Sequence, residues 1–292
     1  MIGVRLEGGL GNQLFQYAAA RSLAIRHATE IMIDRSALNN KSKSITAREY
    51  ELSVFNCPIV TSSRDSFPFS RLAKHFGWLF GLLTSWTAFV EKEQQYDANF
   101  LAAPDNSYLI GYWQSYRYFE AIKETIRNDF TPKNSLSPKS LAIKKIIDLS
   151  SPSVAIHVRR GDYVSLPSAI HFHGALSTDY YHQAIDMMIK QFSDATYFVF
   201  SDDIDWCKGN LGLENKVNYV DHNGSTDAWQ DLILMSACKH HIIANSSFSW
   251  WGAWLGGQNG QLSNQLVIYP KNWFKGGVIN ERDRFPLNWQ GI

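Results

Sequence analysis

Residues 154–164, Val-Ala-Ile-His-Val-Arg-Arg-Gly-Asp-Tyr-Val, constrain this chain more than any other stretch. Val154-Ala155-Ile156, preceded by Pro152, reads as a buried strand: short, apolar and rich in β-branched residues. The run then breaks into His157, Arg159, Arg160, Gly161 and Asp162. Charges at the end of a buried strand are costly unless something pairs them. In an open parallel sheet, ligands bind at the carboxyl ends of the strands. Adjacent guanidiniums suit a diphosphate, because their planar forks bond phosphate oxygens in two places. The plainer reading pairs one arginine with Asp162 and leaves the other in water.

The chain after this point alternates strands and helices. Residues 178–192 read as a helix capped by Ser177 or Thr178, and residues 196–200 (TYFVF) as a strand ending in Ser201-Asp202-Asp203. A short strand at 217–220, a helix at 227–238 and a strand at 241–244 follow. The chain then runs Asn245-Ser246-Ser247-Phe248-Ser249-Trp250-Trp251-Gly252, and residues 267–269 read as the last strand. This alternation implies a parallel sheet covered on both faces. Polar clusters after Ile156, Phe200 and Ala244 then share one edge. Ser246 and Ser247 lie between a strand and a helix, where hydroxyls and amides favour anions. Asp231, one turn into the preceding helix, suits the N1–H and exocyclic amine of guanine, or it simply stabilises the helix dipole.

The first half opens with a strand at 2–6, then Glu7-Gly8-Gly9-Leu10-Gly11-Asn12-Gln13, then a helix at 14–27. A loop with little side chain lets a ligand approach backbone amides. Its glycine spacing is not the dinucleotide fingerprint, and it lacks the lysine of a Walker loop. Further strands are expected at 31–33 and 108–113, and a helix at 118–130. Residues 133–139 (KNSLSPK) read as a linker and 141–149 as a helix. The predicted domains are therefore residues 1–140 and 141–292.

With 292 residues and 45% hydrophobic content, two domains can each build a core. A net charge of +1 makes no case for nucleic acid. Three distant cysteines without zinc spacing indicate a reduced, cytoplasmic setting. Ten tryptophans hint at sugar stacking. Residues 76–90 (FGWLFGLLTSWTAFV) carry no charge but are shorter than the roughly 20 residues of a spanning helix. They read as a buried helix. The alternatives are an acceptor-side wall or a peripheral contact with the inner membrane, Arg71, Lys74 and Lys92 flanking the stretch.

Taken together, His157-Val158-Arg159-Arg160-Gly161-Asp162-Tyr163, Ser201-Asp202-Asp203, Asn245–Trp254 and Gly8–Gln13 resemble the α-1,2-fucosyltransferase family. The arginine strand also resembles α-1,6- and protein O-fucosyltransferases. The motifs run from Gly8 to Trp254, whereas residues 35–131 carry none. The resemblance implies an α/β fold of glycosyltransferase-B type, two Rossmann-like domains facing a cleft, with an acceptor-side domain first and a donor domain second. It implies GDP-fucose as donor substrate, inversion, no cofactor and no metal. The acceptor would be a terminal β-galactoside, soluble or as a lipid-linked O-antigen glycan, joined at its 2-hydroxyl.

By motif position, the resemblance puts Arg159 at the β-phosphate and fucose, with Arg160 and Asp202 on the same edge. His157 and Asp231 fall at the guanine or ribose, and Ser246, Ser247 and the Phe248 amide at phosphate. Asn12 and Gln13 face the cleft from the first domain. For the base that takes the acceptor proton, Asp162, Glu7 and His173 remain open, and Asp162 is equally suited to bracing an arginine. Asp203-Ile204-Asp205 is formally an Asp-x-Asp metal motif, but two arginines make its cation redundant. The rival readings are a transferase for another GDP-sugar and a glycan-binding module; a nucleotide hydrolase fails for want of a Walker lysine.

Overall fold

The computed structural model describes residues 1–38, 48–59, 73–172, 174–256, 265–275 and 283–292. They form two units, Met1–Asn134 with Ile279–Pro286, and Ser135–Val278 with Leu287–Ile292.

In the first unit, short apolar runs become strands β1 (Ile2–Arg5), β2 (Ile31–Asp34), β3 (Thr87–Val90) and β4 (Ser107–Ile110). They pair in the order β2-β1-β4-β3, every pair parallel. Helix α1 (Leu10–Arg26) covers the sheet with Leu14, Phe15, Ala18, Ala19 and Leu23, all buried. It starts four residues before the predicted position: Gly9 accepts from the amides of Asn12 and Gln13 and opens the first turn. Asn12 and Gln13 are therefore helical, and the glycine loop shrinks to residues 7–9.

Residues 76–90 do not form one helix. Helix α2 (Gly77–Thr84) ends at Ser85, which is left-handed, and β3 follows two residues later. Uniform hydrophobicity concealed a change of period, and the β-branched Thr87 and Val90 belong to the strand. Only Phe80 of α2 is buried, while Trp78 and Leu82 are 71% and 76% exposed. No described helix is long and apolar enough to cross a membrane. β4 stops at Ile110 rather than residue 113: the amides of Tyr112 and Trp113 donate to the Glu91 carboxylate and not to a neighbouring strand. The helix expected over 118–130 is broken into two 3-10 turns and α3 (Lys123–Asp129).

The predicted linker is shorter than expected. Ser137 accepts a hydrogen bond from the Ser140 amide and Pro138 occupies the first turn, so α4 (Pro138–Leu149) begins three residues early. The unit boundary falls at 134/135 instead of 140/141, and Ile279–Pro286 belongs to the first unit.

The second unit holds β5 (Ser153–Val158), α5 (Gly161–Ser165), α6 (Pro167–Phe172), α7 (Thr178–Gln191), β6 (Thr196–Ser201), α8 (Ile204–Asn210) and β7 (Val217–Val220). Next come α9 (Ala228–Ala237), β8 (His240–Ile242), α10 (Ser247–Leu255), β9 (Val267–Tyr269) and β10 (Gln290–Gly291). The sheet runs β10-β9-β8-β5-β6-β7, parallel throughout. β9 is not the last strand; a two-residue β10 is too short to leave a periodic signal. Strand alternation puts Val154, Ile156 and Val158 in a core with Tyr181, Ile185 and Met188 of α7, leaving Ala155 and His157 on the other face.

α9 and α10 pack closely. A Cβ at Gly252 would lie 2.9 Å from the Met235 Cβ. Helix propensity favours alanine over glycine by about 1 kcal/mol, but overpacking costs about 1–3 kcal/mol. Gly252→Ala should therefore lower the urea midpoint; a net gain near the propensity value would contradict the close approach.

Candidate active site

β8, β5 and β6 are neighbours, so the three predicted polar clusters leave the sheet side by side. Val158 pairs with Ser201, which brings Arg159-Arg160 beside Asp202-Asp203. The Arg159 guanidinium donates through Nη2 to Asp162 Oδ1 at 2.7 Å and lies 2.8 Å through Nη1 from Asp202 Oδ2. Its carbon sits 5.7 Å from the Tyr163 ring centroid. Arg160 Nε donates to Asp203 Oδ2 at 3.0 Å, and its guanidinium lies 4.2 Å from the Trp206 ring centroid.

Asp202 is the hub. Its Oδ1 accepts the Arg160 amide at 2.8 Å while Oδ2 faces Arg159. A Cβ on Gly161 would lie 2.6 Å from that Oδ2, so the approach needs glycine. The structure thus gives Asp202 and Asp162 to the arginines, and neither arginine lies alone in water. Asp203 also caps α8, accepting from the Trp206 amide at 3.2 Å, whereas Asp205 is 98% exposed. The two carboxylates of the Asp-x-Asp motif therefore do different work.

On the β8 side, Ile156 pairs with Ile242, so the segments after β5 and β8 leave neighbouring strands. The Tyr163 hydroxyl donates to the Asn245 carbonyl at 3.2 Å, tying α5 to the segment ahead of α10. Ser246 is extended and caps α10, its Oγ accepting from the Phe248 amide at 3.3 Å. That amide is consequently engaged by Ser246. Ser247 opens the helix, and Phe248 lies 5.7 Å from the His157 ring.

His157 is 6% exposed, and its buried Nδ1 has no hydrogen-bond partner among the described residues. Burial pushes its pKa down to about 4, with Asp202 opposing and Arg159 adding to the fall, so the ring is neutral at pH 7. A buried ring nitrogen without a partner is an unmet hydrogen-bonding group at the strand end.

Asp231 stands in the first turn of α9, the helix that follows β7 in the chain. Burial raises its carboxyl to about 6, opposed by the Asn223 side chain, whose Nδ2 donates to Asp231 Oδ1 at 2.6 Å. Ser140 Oγ holds Asn223 Oδ1 at 3.2 Å and the His222 ring at 3.0 Å. Sequence reasoning missed Asn223 and Trp206 and gave Asp203 no partner. The Asx-rich 221–223 loop was the available signal for the first.

In the first unit, Gln13 is not a surface residue. It is fully buried, donates to the carbonyls of Gly8 and Glu49, and accepts from the Glu51 amide. All of its hydrogen-bonding ends serve the loop around it. Asn12 Oδ1 accepts from Gln114 Nε2 at 2.8 Å. Glu7 is ion-paired with Arg5 and lines a cavity beside β1, β3 and β4. His173 lies outside the described residues.

Comparison with known proteins agrees with this architecture. The model of glycosyl transferase family 11 matches residues 88–292. An alpha-1,2-colitosyltransferase of Escherichia coli is 35% identical over 300 residues, covering 100% of this chain and 99% of that one. The O-antigen biosynthesis glycosyltransferase WbnK of Escherichia coli is 33% identical, covering 93% and 94%. Galactoside alpha-(1,2)-fucosyltransferase 1 of Alouatta belzebul is 25% identical, covering 98% and 73%. Among solved structures, fucosyltransferase NodZ from Bradyrhizobium superposes with a TM-score of 0.50 at 16% identity, covering 87% and 92%. The fold is the α/β, glycosyltransferase-B type expected from the motifs, and this chain is a member of glycosyl transferase family 11.

Proposed function

We propose that the protein moves L-fucose from GDP-fucose to the 2-hydroxyl of a terminal β-galactoside, in synthesis of an O-antigen or similar surface glycan. The observation that carries the reading is the braced arginine pair at one sheet edge, where the neighbouring strand β8 leads into the serine-capped start of α10. From β8 to β7 that edge spans three strand spacings, about 14 Å. Such a span suits a nucleoside diphosphate better than a lone phosphate. Arg159, Arg160, Ser246 and Ser247 would hold the diphosphate, and His157 and Asp231 the nucleoside. Supporting that placement, the His157 ring is neutral with an unpartnered Nδ1, and Asn223 fixes the Asp231 carboxylate through one of its oxygens.

Transfer builds charge on the departing β-phosphate. A guanidinium fixed before the reaction stabilises that charge more than it stabilises the ground state. Arg159 supplies the charge, and Asp162 and Asp202 hold its plane. With one Asp162 oxygen occupied by Arg159, bracing describes Asp162 better than proton abstraction. Two fixed cations do the work that a divalent metal does elsewhere. A second reading changes the sugar: the 35% relative is a colitosyltransferase, so a colitose donor competes with fucose. Turnover of GDP-fucose against GDP-linked colitose and GDP-mannose, with the product linkage read by NMR, decides between them.

Three outcomes are expected. Arg159→Ala should fold normally by circular dichroism yet lose on the order of 100- to 1,000-fold in kcat; wild-type turnover would overturn the assignment. Transfer should persist in excess EDTA, and its loss with recovery on adding Mg²⁺ would refute the two-cation account. Guanine needs Asp231 ionised, and the carboxyl binds its proton below about 6. GDP affinity measured by calorimetry should therefore fall as pH drops from 7 to 5, by up to about tenfold per unit. Asp231→Asn should flatten that dependence.

A further inference from the structure

The ends of β1, β3 and β4 border a cavity of about 230 Å³ at the carboxyl edge of the first unit's sheet. Its polar lining is Glu7, Glu91, Glu93, Gln94, Tyr112, Lys74 and Lys92. Glu91 is held there by the backbone. Its Oε2 accepts the Tyr112 amide at 2.7 Å and its Oε1 the Trp113 amide at 3.0 Å. A Cβ on Gly111 would lie 2.4 Å from the Glu91 Cβ, so glycine alone lets the chain pass so near. Trp113 takes a φ of 55°, a region that bulky residues enter at a cost. The chain after β4 is thus bent to aim two amides at one carboxylate.

Each Glu91 oxygen keeps a second lone pair beyond the amide it accepts. Burial pushes the carboxyl up to about 7, against the two amides and the nearby Arg284 charge. An ionised group so placed lacks solvation that a hydroxyl donor would restore. Gln94 is fixed as well, by the buried Arg284, whose Nη2 donates to Gln94 Oε1 at 3.2 Å. The lining decides the class of ligand. A free anion would meet Glu7, Glu91 and Glu93, and a cation would meet Lys74 and Lys92. A neutral polyhydroxylated ring suits both, donating hydroxyls to the carboxylates, accepting from the lysines and presenting C–H faces to Tyr112.

We propose that this cavity binds a neutral sugar, with Glu91 as the hydroxyl-binding residue. Its identity as the acceptor sugar rests on the transfer reading above; sugar binding itself does not. The test is saturation-transfer NMR with methyl β-D-galactopyranoside on the full chain, with saturating GDP and without it. GDP affinity is measured separately by calorimetry. Wild type should show transfer to the galactoside. Glu91→Gln and Tyr112→Ala should each bind it at least tenfold more weakly, with GDP affinity unchanged. Tyr112→Ala keeps the backbone amide, so it decides the matter if Glu91→Gln unfolds. No galactoside signal in the wild type under either condition overturns the proposal, as does wild-type binding by both variants. Galactoside binding without GDP binding supports the cavity and removes the donor reading instead.

Discussion

Two adjacent arginines at a strand end repel each other, and the rest of the second unit is arranged around holding them. Three carboxylates do so, from two segments that leave neighbouring strands together: Asp162 from the arginine segment, Asp202 and Asp203 from the end of β6. Stability is a poor explanation for this arrangement. These side chains are roughly a quarter exposed, and ion pairs of that kind contribute about 0–1 kcal/mol each. Orientation is the better one. The Arg159 fork is held on two sides and Arg160 is laid on Trp206, so both planes are set before any ligand arrives. Preorganised charge of that kind avoids reorganisation during reaction.

The flanking groups carry the opposite electrostatic character. Burial shifts His157 and Asp231 toward their neutral forms, the imidazole downward and the carboxyl upward. Along one edge lie a helix start capped by hydroxyl and a braced cationic pair, and the helix that follows β7 carries the Asp231 carboxyl in its first turn. A ligand matched to it has an anionic middle and a heteroaromatic end. That order comes from sheet topology rather than chain order, since β8, the fourth of these strands in the chain, lies beside β5, the first.

The second unit was legible because its chemistry sits in contiguous residues at strand ends. Polar clusters interrupting apolar runs announced both the strands and their useful edge, and Ser177 and Ser246 cap helices as their residue types suggest. The first unit was less so. Residues 76–90 hide a helix-to-strand change inside uniform hydrophobicity, and Ser85 alone, a residue without strong turn character, marks the break. Gln13 looked available because it follows a glycine loop; nothing local revealed that Glu49 and Glu51 would consume its amide. The Ser137 cap and Pro138 were visible but were read as linker composition instead of a helix start. Glu91 had no motif, because its partners arrive from twenty residues away through Gly111, Tyr112 and Trp113.

That last difference has a physical basis. A charged ligand is recognised by charges, and charges crowded at a strand end stand out in any sequence because burial forbids them elsewhere. A neutral ring is recognised by lone pairs and shape, which ordinary glutamates, amides and tyrosines supply. What distinguishes Glu91 from other glutamates is conformational: a tryptophan in the left-handed region and a glycine that cannot carry a side chain. Neither property belongs to Glu91 itself. Backbone geometry is fixed by the sheet that delivers β3 and β4 side by side, so a site of this type becomes visible only once the strands are paired.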